Sequence, residues 1–228
     1  MTSNRSSNNQ TPQTIWIARH GHRYDFQYPD WFETARRRYD PPLSEQGLQQ
    51  AQELAQRLEQ EYDQGSSRLT IVSSPFRRCV TTANAVAERL GTGIYLEWGI
   101  GEWLNPDWMT EMPEIASPEE LQAEFPRLDL SYRSRSQPQY PEVSQEDCWR
   151  RSGETARELA RQTSGDLLLL GHGATVLGMT QGLLGHPVDM QTACCCLVKL
   201  TRYDGDWCLE LKGDTSHLSE TESQIRLN

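Results

Sequence analysis

Three short apolar runs in this chain each end on residues able to handle an anion. Ile15-Trp16-Ile17-Ala18 stops at Arg19-His20-Gly21. Leu69-Thr70-Ile71-Val72 stops at Ser73-Ser74-Pro75 and is followed by Arg77-Arg78. Leu167 to Leu170 stops at Gly171-His172-Gly173. A neutral imidazole is nucleophilic near pH 7, and guanidinium groups present planar forks of donors to anionic oxygens. Two imidazoles and two arginines in one place would suit a phosphoryl group, whose transfer depends mainly on positioning and charge stabilisation. An acid for the leaving oxygen would complete the set, and Glu97 and Glu102 both follow a fourth short run, Ile94-Tyr95-Leu96.

These groups act together only if the fold gathers them. The runs read as buried strands, with Gly21 as the tight turn after the first. In an open α/β sheet ligands bind at the carboxyl edge, so parallel strands would bring residues 19, 20, 78 and 172 to one rim. The reading requires an anion-sized hollow there, with the His20 imidazole open to solvent. Ser44 suits the N-cap of a helix to about Tyr62, with Leu48, Ala51, Leu54, Ala55, Leu58 and Tyr62 inward. Ser74 and Pro75 suit the start of a second helix, whose apolar side is Cys79, Val80, Ala83, Val86, Ala87 and Leu90. Its stripe of Arg77, Thr81, Asn84 and Glu88 looks solvated, which leans toward Arg78 as the inward arginine. Further helices are expected over 146–163 and 174–184, and strands over 166–170, 194–200 and 206–211. The pattern predicts a three-layer α/β/α fold with a mostly parallel sheet.

Between these elements lie an aromatic-rich segment, 22–42, and a segment rich in Pro, Glu, Trp and Arg, 99–145, read as an insertion or lid over the site. Arg36-Arg37-Arg38 reads as a solvated charge run. The domain is expected over 14–212, between a disordered polar tail (1–13) and a polar C-terminal tail (213–228).

The ordered set of motifs resembles the histidine phosphatase superfamily, the phosphoglycerate-mutase-like fold. Arg19-His20-Gly21 resembles its R-H-G signature. Residues 73–83, SSPFRRCVTTA, are similar to its S-S-P-L-x-R-A-x-x-T-A motif. Gly171-His172-Gly173 resembles its late histidine, and Pro42-Leu43-Ser44-Glu45-Gln46-Gly47 its P-L-T-x-x-G helix start. The resemblance implies a phosphohistidine on His20, with Arg19, Arg78 and His172 holding the phosphoryl group. It selects Arg78 over Arg77, and Glu102, in Gly101-Glu102-Trp103, as general acid and base. Among Trp98, Trp103 and Trp108 that carboxyl is expected to have a raised pKa. Some branches carry a basic residue two places after the R-H-G glycine, so Arg23 is a candidate substrate contact.

Residues 74–83, 101–103 and 121–132 resemble the phosphatase domain of the STS/TULA proteins, with His22 where that branch has an acidic residue. The implied activity is a metal-independent phosphomonoester hydrolase of histidine acid phosphatase type. A phosphorylated small molecule or a phosphoprotein would be its substrate, and it needs no cofactor. A phosphoglycerate-type mutase and a non-catalytic phosphate-binding module are the alternatives. His20, His22 and His172 could be taken for metal ligands, but no carboxylate clusters with them in the sequence.

A net charge of -10 over 228 residues argues against nucleic acid or an anionic membrane as partner. The six cysteines show no C-x-x-C spacing, so reduced, mostly buried thiols are expected rather than a zinc site or disulfides. No apolar run approaches a membrane span, and residues 1–13 hold no signal core. A cytoplasmic protein is expected, and its oligomeric state is left open.

Overall fold

The structure, a computed structural model, describes residues 12–62 and 68–222. Strands β1 (Thr14–Arg19), β2 (Leu69–Ser73), β3 (Ile94–Leu96) and β4 (Asp166–Gly171) are parallel. β5 (Leu197–Tyr203) runs antiparallel to β1, and β6 (Asp206–Asp214) completes the sheet in the order β3-β2-β4-β1-β5-β6. Two single-turn helices, α1 (Tyr24–Gln27) and α2 (Trp31–Thr34), follow β1. The remaining helices are α3 (Glu45–Glu61), α4 (Arg77–Leu90), α5 (Pro118–Glu124), α6 (Gln145–Gln162) and α7 (Gly173–Leu184).

Alternation along the strands builds the layers. Ile15, Ile17, Leu167 and Leu169 face Ala156 and Leu159 of α6 and Val176 and Met179 of α7. Trp16, Ala18, Leu168 and Leu170 face Leu54 and Leu58 of α3 and Val80 and Val86 of α4. This is the α/β/α fold the strand pattern predicts.

Register aligns the strand ends. Arg19 lies opposite Gly171, and Ser73 opposite Leu170. Pairing continues one residue further: His20 N–H donates to Gly171 O at 3.0 Å and Ser74 N–H to Leu170 O at 2.9 Å. The chain therefore leaves three neighbouring strands at one level, where the reactive residues begin.

The start of α3 is built against the turn after β1. A Cβ on Gly21 would lie 2.5 Å from Gly47 O, and one on Gly47 would lie 2.1 Å from His22 O, so only glycine fits at either position. Ser44 caps the helix by accepting from Gly47 N–H. Contrary to the helical pattern, Leu48 is 49% exposed. The first turns of α3 instead present Gly47 and the buried Gln50 to the chain, and Gln50 Oε1 accepts the His22 N–H.

Other boundaries shift for identifiable reasons. α4 begins at Arg77 rather than Pro75, because Ser74 turns its hydroxyl to His172 instead of capping. β5 begins at Leu197, since Cys195 adopts a left-handed turn (φ 51°). The arginines of 36–38 are not merely solvated: Arg37 Nη2 donates to both Glu120 oxygens (2.9 and 2.7 Å), tying 36–38 to α5.

The expected tails are in part ordered. Gln13 Nε2 donates to Thr163 O and Gly165 O. β6 extends to Asp214, and residues 215–222 pack back on α3, where Gln50 Nε2 donates to Glu220 O. The rest of both expected tails, 1–11 and 223–228, lies outside the described residues. All six thiols are unpaired and five are buried. No helix among the described residues is long and apolar enough to cross a membrane.

Candidate active site

Immediately beyond β1, the His20 ring is fixed by its own turn. Its Nδ1 lies 2.8 Å from Gly21 O, a carbonyl that can only accept, so Nδ1 carries the proton. Nε2 keeps its lone pair. Burial, then Arg78, Arg19 and His172, hold the imidazole well below its ordinary pKa, so it is neutral at pH 7.

Beside it lie Arg78, Glu102 and His172. Arg78, the second residue of α4, donates from Nη2 to Glu102 Oε2 at 2.9 Å and from Nη1 to Tyr39 O at 3.3 Å. Its buried Nε has no hydrogen-bond partner among the described residues. His172 Nδ1 lies 3.0 Å from Glu102 Oε2, and Ser74 Oγ lies 2.7 Å from His172 Nε2. A proton on Nδ1, donated to the carboxylate, leaves Nε2 to accept from the Ser74 hydroxyl. Burial is the main cause that pushes His172 down to about 4, so this ring too is neutral at pH 7.

Glu102 departs from the sequence expectation. Burial alone would raise its pKa, but His172, Arg78 and Arg23 outweigh it and hold the carboxyl well below the usual carboxylate range. The resting group is a carboxylate, not an acid. Ligand atoms of His20, Glu102 and His172 all lie within 4.8 Å of one another. The sequence requirement is thus met in one respect and not in another. Residues 19, 20, 78 and 172 meet at one rim, but His20 is buried, only 1% exposed.

A family model described as histidine phosphatase superfamily (branch 1) matches residues 15–215. The chain belongs to the histidine phosphatase superfamily. It is 41% identical over 117 residues to the transcription factor tau 55 kDa subunit of Saccharomyces cerevisiae, covering 50% of this chain and 26% of that protein. It is 27% identical over 244 residues to the ecdysteroid-phosphate phosphatase of Drosophila melanogaster, covering 86% and 31%. It is 31% identical over 161 residues to the human ubiquitin-associated and SH3 domain-containing protein A, covering 65% and 23%. The matches thus cover about a quarter to a third of each relative's length. In fold it is similar to the ecdysone phosphate phosphatase of Bombyx mori, solved with tungstate (TM-score 0.73, 20% identity, 95% of this chain and 98% of that one).

Within this histidine phosphatase fold the alternatives left by the sequence resolve geometrically. Arg77 points outward to Glu124, whereas Arg78 is buried in the site. Glu97 accepts from Gly99 N–H, Tyr132 Oη, Ser134 Oγ and the Arg135 N–H, so it pins the 99–145 insertion to the end of β3. Glu102 is the carboxylate beside the histidines. His22 Nδ1 lies 2.8 Å from Ser44 Oγ, which makes it part of the α3 cap. Arg23 sits close enough to act on Glu102 and Arg78, but its guanidinium is paired with Asp25 (2.9 and 2.5 Å) and stacked on Phe26. Cys79 lies 3.4 Å from His172 Nε2, yet burial pushes its thiol pKa up, so it is no thiolate nucleophile.

Three supporting groups escape sequence reasoning. Asp40 accepts the Arg77 N–H at the start of α4 and lies 3.7 Å from Arg78. Ser74 orients His172. Arg151 of α6 donates to the carbonyls of Trp98, Gly99, Gly101 and Glu102, and pairs with Glu142 at 2.6 and 2.7 Å. Glu142 in turn accepts the Leu104 N–H. The loop bearing Glu102 is therefore clamped from behind. Only distant partners reveal this role, since Arg151 sits in an ordinary helical arginine pair. Arg151→Ala strips Glu142 and four carbonyls at once. It is expected to cost about 3–5 kcal/mol of stability, read from the urea midpoint. A loss below about 1 kcal/mol would show the clamp to be a surface pair.

Proposed function

We propose that this protein hydrolyses phosphomonoesters through a phosphohistidine on His20, with no metal ion. The observation that carries the reading is the pairing of a neutral His20, its Nε2 lone pair fixed by the Nδ1–Gly21 bond, with a buried Arg78 that keeps an unspent N–H. Arg19 and Arg78 hold the non-bridging oxygens while His20 Nε2 attacks phosphorus and the bond to the leaving oxygen breaks. The incoming phosphate takes over Arg78 from Glu102 and brings negative charge. Both changes raise the carboxylate's affinity for a proton, which it then passes to the leaving oxygen. Glu102 next takes a proton from water as that water attacks phosphorus and the P–N bond breaks. His172 steadies the phosphoryl group, and Arg23 contacts the substrate once released from Asp25.

His20, Glu102 and His172 are also the one candidate metal-binding trio among the described residues. Arg78 lies 2.9 Å from Glu102 and 3.3 Å from His172, and a cation in the trio would face that fixed charge. His20 is 1% exposed, so a substrate reaches it only after neighbouring groups give way. The similarity to phosphatases of ecdysteroid phosphate supports hydrolysis of a phosphorylated small molecule, and a phosphoprotein is the other class the site admits. The test is a panel of phosphomonoesters, including 3-phosphoglycerate, with and without a chelator. Inorganic phosphate released equally in both is the expected result. Loss of activity on chelation would overturn the metal-free mechanism, and isomerisation of 3-phosphoglycerate without phosphate release would overturn hydrolysis.

A further inference from the structure

We propose that Glu222, beyond the end of the family match at residue 215, is a positioning residue for Arg19. The inference rests on the phosphoryl-binding reading of Arg19. After β6 the chain returns along α3 as a strap. His217 Nε2 lies 3.1 Å from Cys195 O, Ser219 donates to Glu53 from both N–H and hydroxyl, and Gln50 Nε2 donates to Glu220 O. The strap brings the Glu222 carboxylate, 9% exposed, to within 3.5 Å of Arg19 Nη1.

Two features make this carboxylate a fixed post rather than a stand-in for the substrate anion. Both of its oxygens accept from the Cys194 N–H, at 3.1 and 3.0 Å, closer than either approaches Arg19. It is therefore anchored independently of the arginine and stays when an anion arrives. Its contact also falls on the same nitrogen, Nη1, that donates to Thr192 O at 2.8 Å. Together these two contacts on Nη1 restrict the orientation of the guanidinium plane. The carboxylate adds to the counter-charge that Glu102 also gives this fully buried guanidinium.

Gln50 couples the strap to the nucleophile's turn. Its Oε1 accepts the His22 N–H while its Nε2 donates to Glu220 O. One side chain thus ties the segment after His20 to the segment before Glu222.

The experiment compares full-length wild type with Glu222→Gln and Glu222→Asp, reading kcat, KM for p-nitrophenyl phosphate, the dissociation constant of inorganic phosphate by calorimetry, and the melting temperature. Glu222→Gln, nearly isosteric, is expected to raise KM and the phosphate dissociation constant in parallel, each by about tenfold, with kcat changed by less than about threefold and the melting point nearly unchanged. Glu222→Asp should recover part of the affinity. Unchanged phosphate affinity in Glu222→Gln would overturn the proposal. So would tighter binding, which would mean that the carboxylate obstructs the anion. A wild type that neither hydrolyses the ester nor binds phosphate would instead defeat the phosphoryl-binding reading itself, and the proposal with it.

Discussion

His20→Ala is expected to lower phosphomonoester turnover by about four orders of magnitude, with the fold retained. No other described side chain can replace it. His172 has both ring nitrogens engaged, with Glu102 and Ser74. Burial drives the Cys79 thiol pKa up, and those of Cys194 and Cys196 to about 12, so none is a thiolate near pH 7. The His20 environment also dictates a pH profile. Burial, Arg78 and Arg19 lower its pKa, so the nucleophile stays unprotonated as pH falls through 6.5. The acid limb of kcat/KM that belongs to His20 should therefore lie below 6.5. Residual turnover within about tenfold of wild type in His20→Ala would mean that another group attacks phosphorus.

Glu102→Gln is expected to lower kcat by about 10² to 10⁴, and unequally between substrates. The amide keeps the size of the carboxyl but can neither give nor take the proton. An alkyl phosphate, whose leaving oxygen must be protonated, should lose more than p-nitrophenyl phosphate, whose phenolate leaves unaided. With the nitrophenyl ester the loss should fall on the second step, where water needs a base, so phosphoenzyme should accumulate. Equal losses on both esters, with no accumulation, would show that Glu102 serves only to hold Arg78 and His172. Arg78 Nη2 and His172 Nδ1 both lean on its Oε2, so that outcome has a structural basis and the comparison is decisive.

Much of this arrangement was legible in the sequence because it rests on local pattern. Apolar runs that stop at a glycine or Ser-Ser-Pro locate the strand ends, and parallel register does the rest: Arg19 meets Gly171 and Ser73 meets Leu170. The preference for Arg78 followed from helical periodicity together with the motif resemblance. What was not legible depends on contacts between distant segments. Nothing in the spacing of Glu102 shows that Arg78 and His172 would reverse the effect of burial on its pKa. Leu48 looks like a core position until the turn at Gly21 claims that end of α3 for Gly47 and Gln50. Residues 215–222 have the composition of a free tail, and Glu222 acquires its proposed role only because the strap brings it to Cys194 and Arg19. The burial of His20 is likewise a property of packing, invisible in the residues that line the site.

The central claim is that phosphorus is bonded to His20 during turnover, and rapid quenching into alkali tests it most directly. Wild-type protein mixed with a ³²P-labelled phosphomonoester should carry label at early times on the peptide containing His20. That label should be stable to alkali and lost in acid, and should form and decay at rates that account for steady-state release of phosphate. Steady release with no label on the protein, or label on a serine or cysteine instead, would contradict the account.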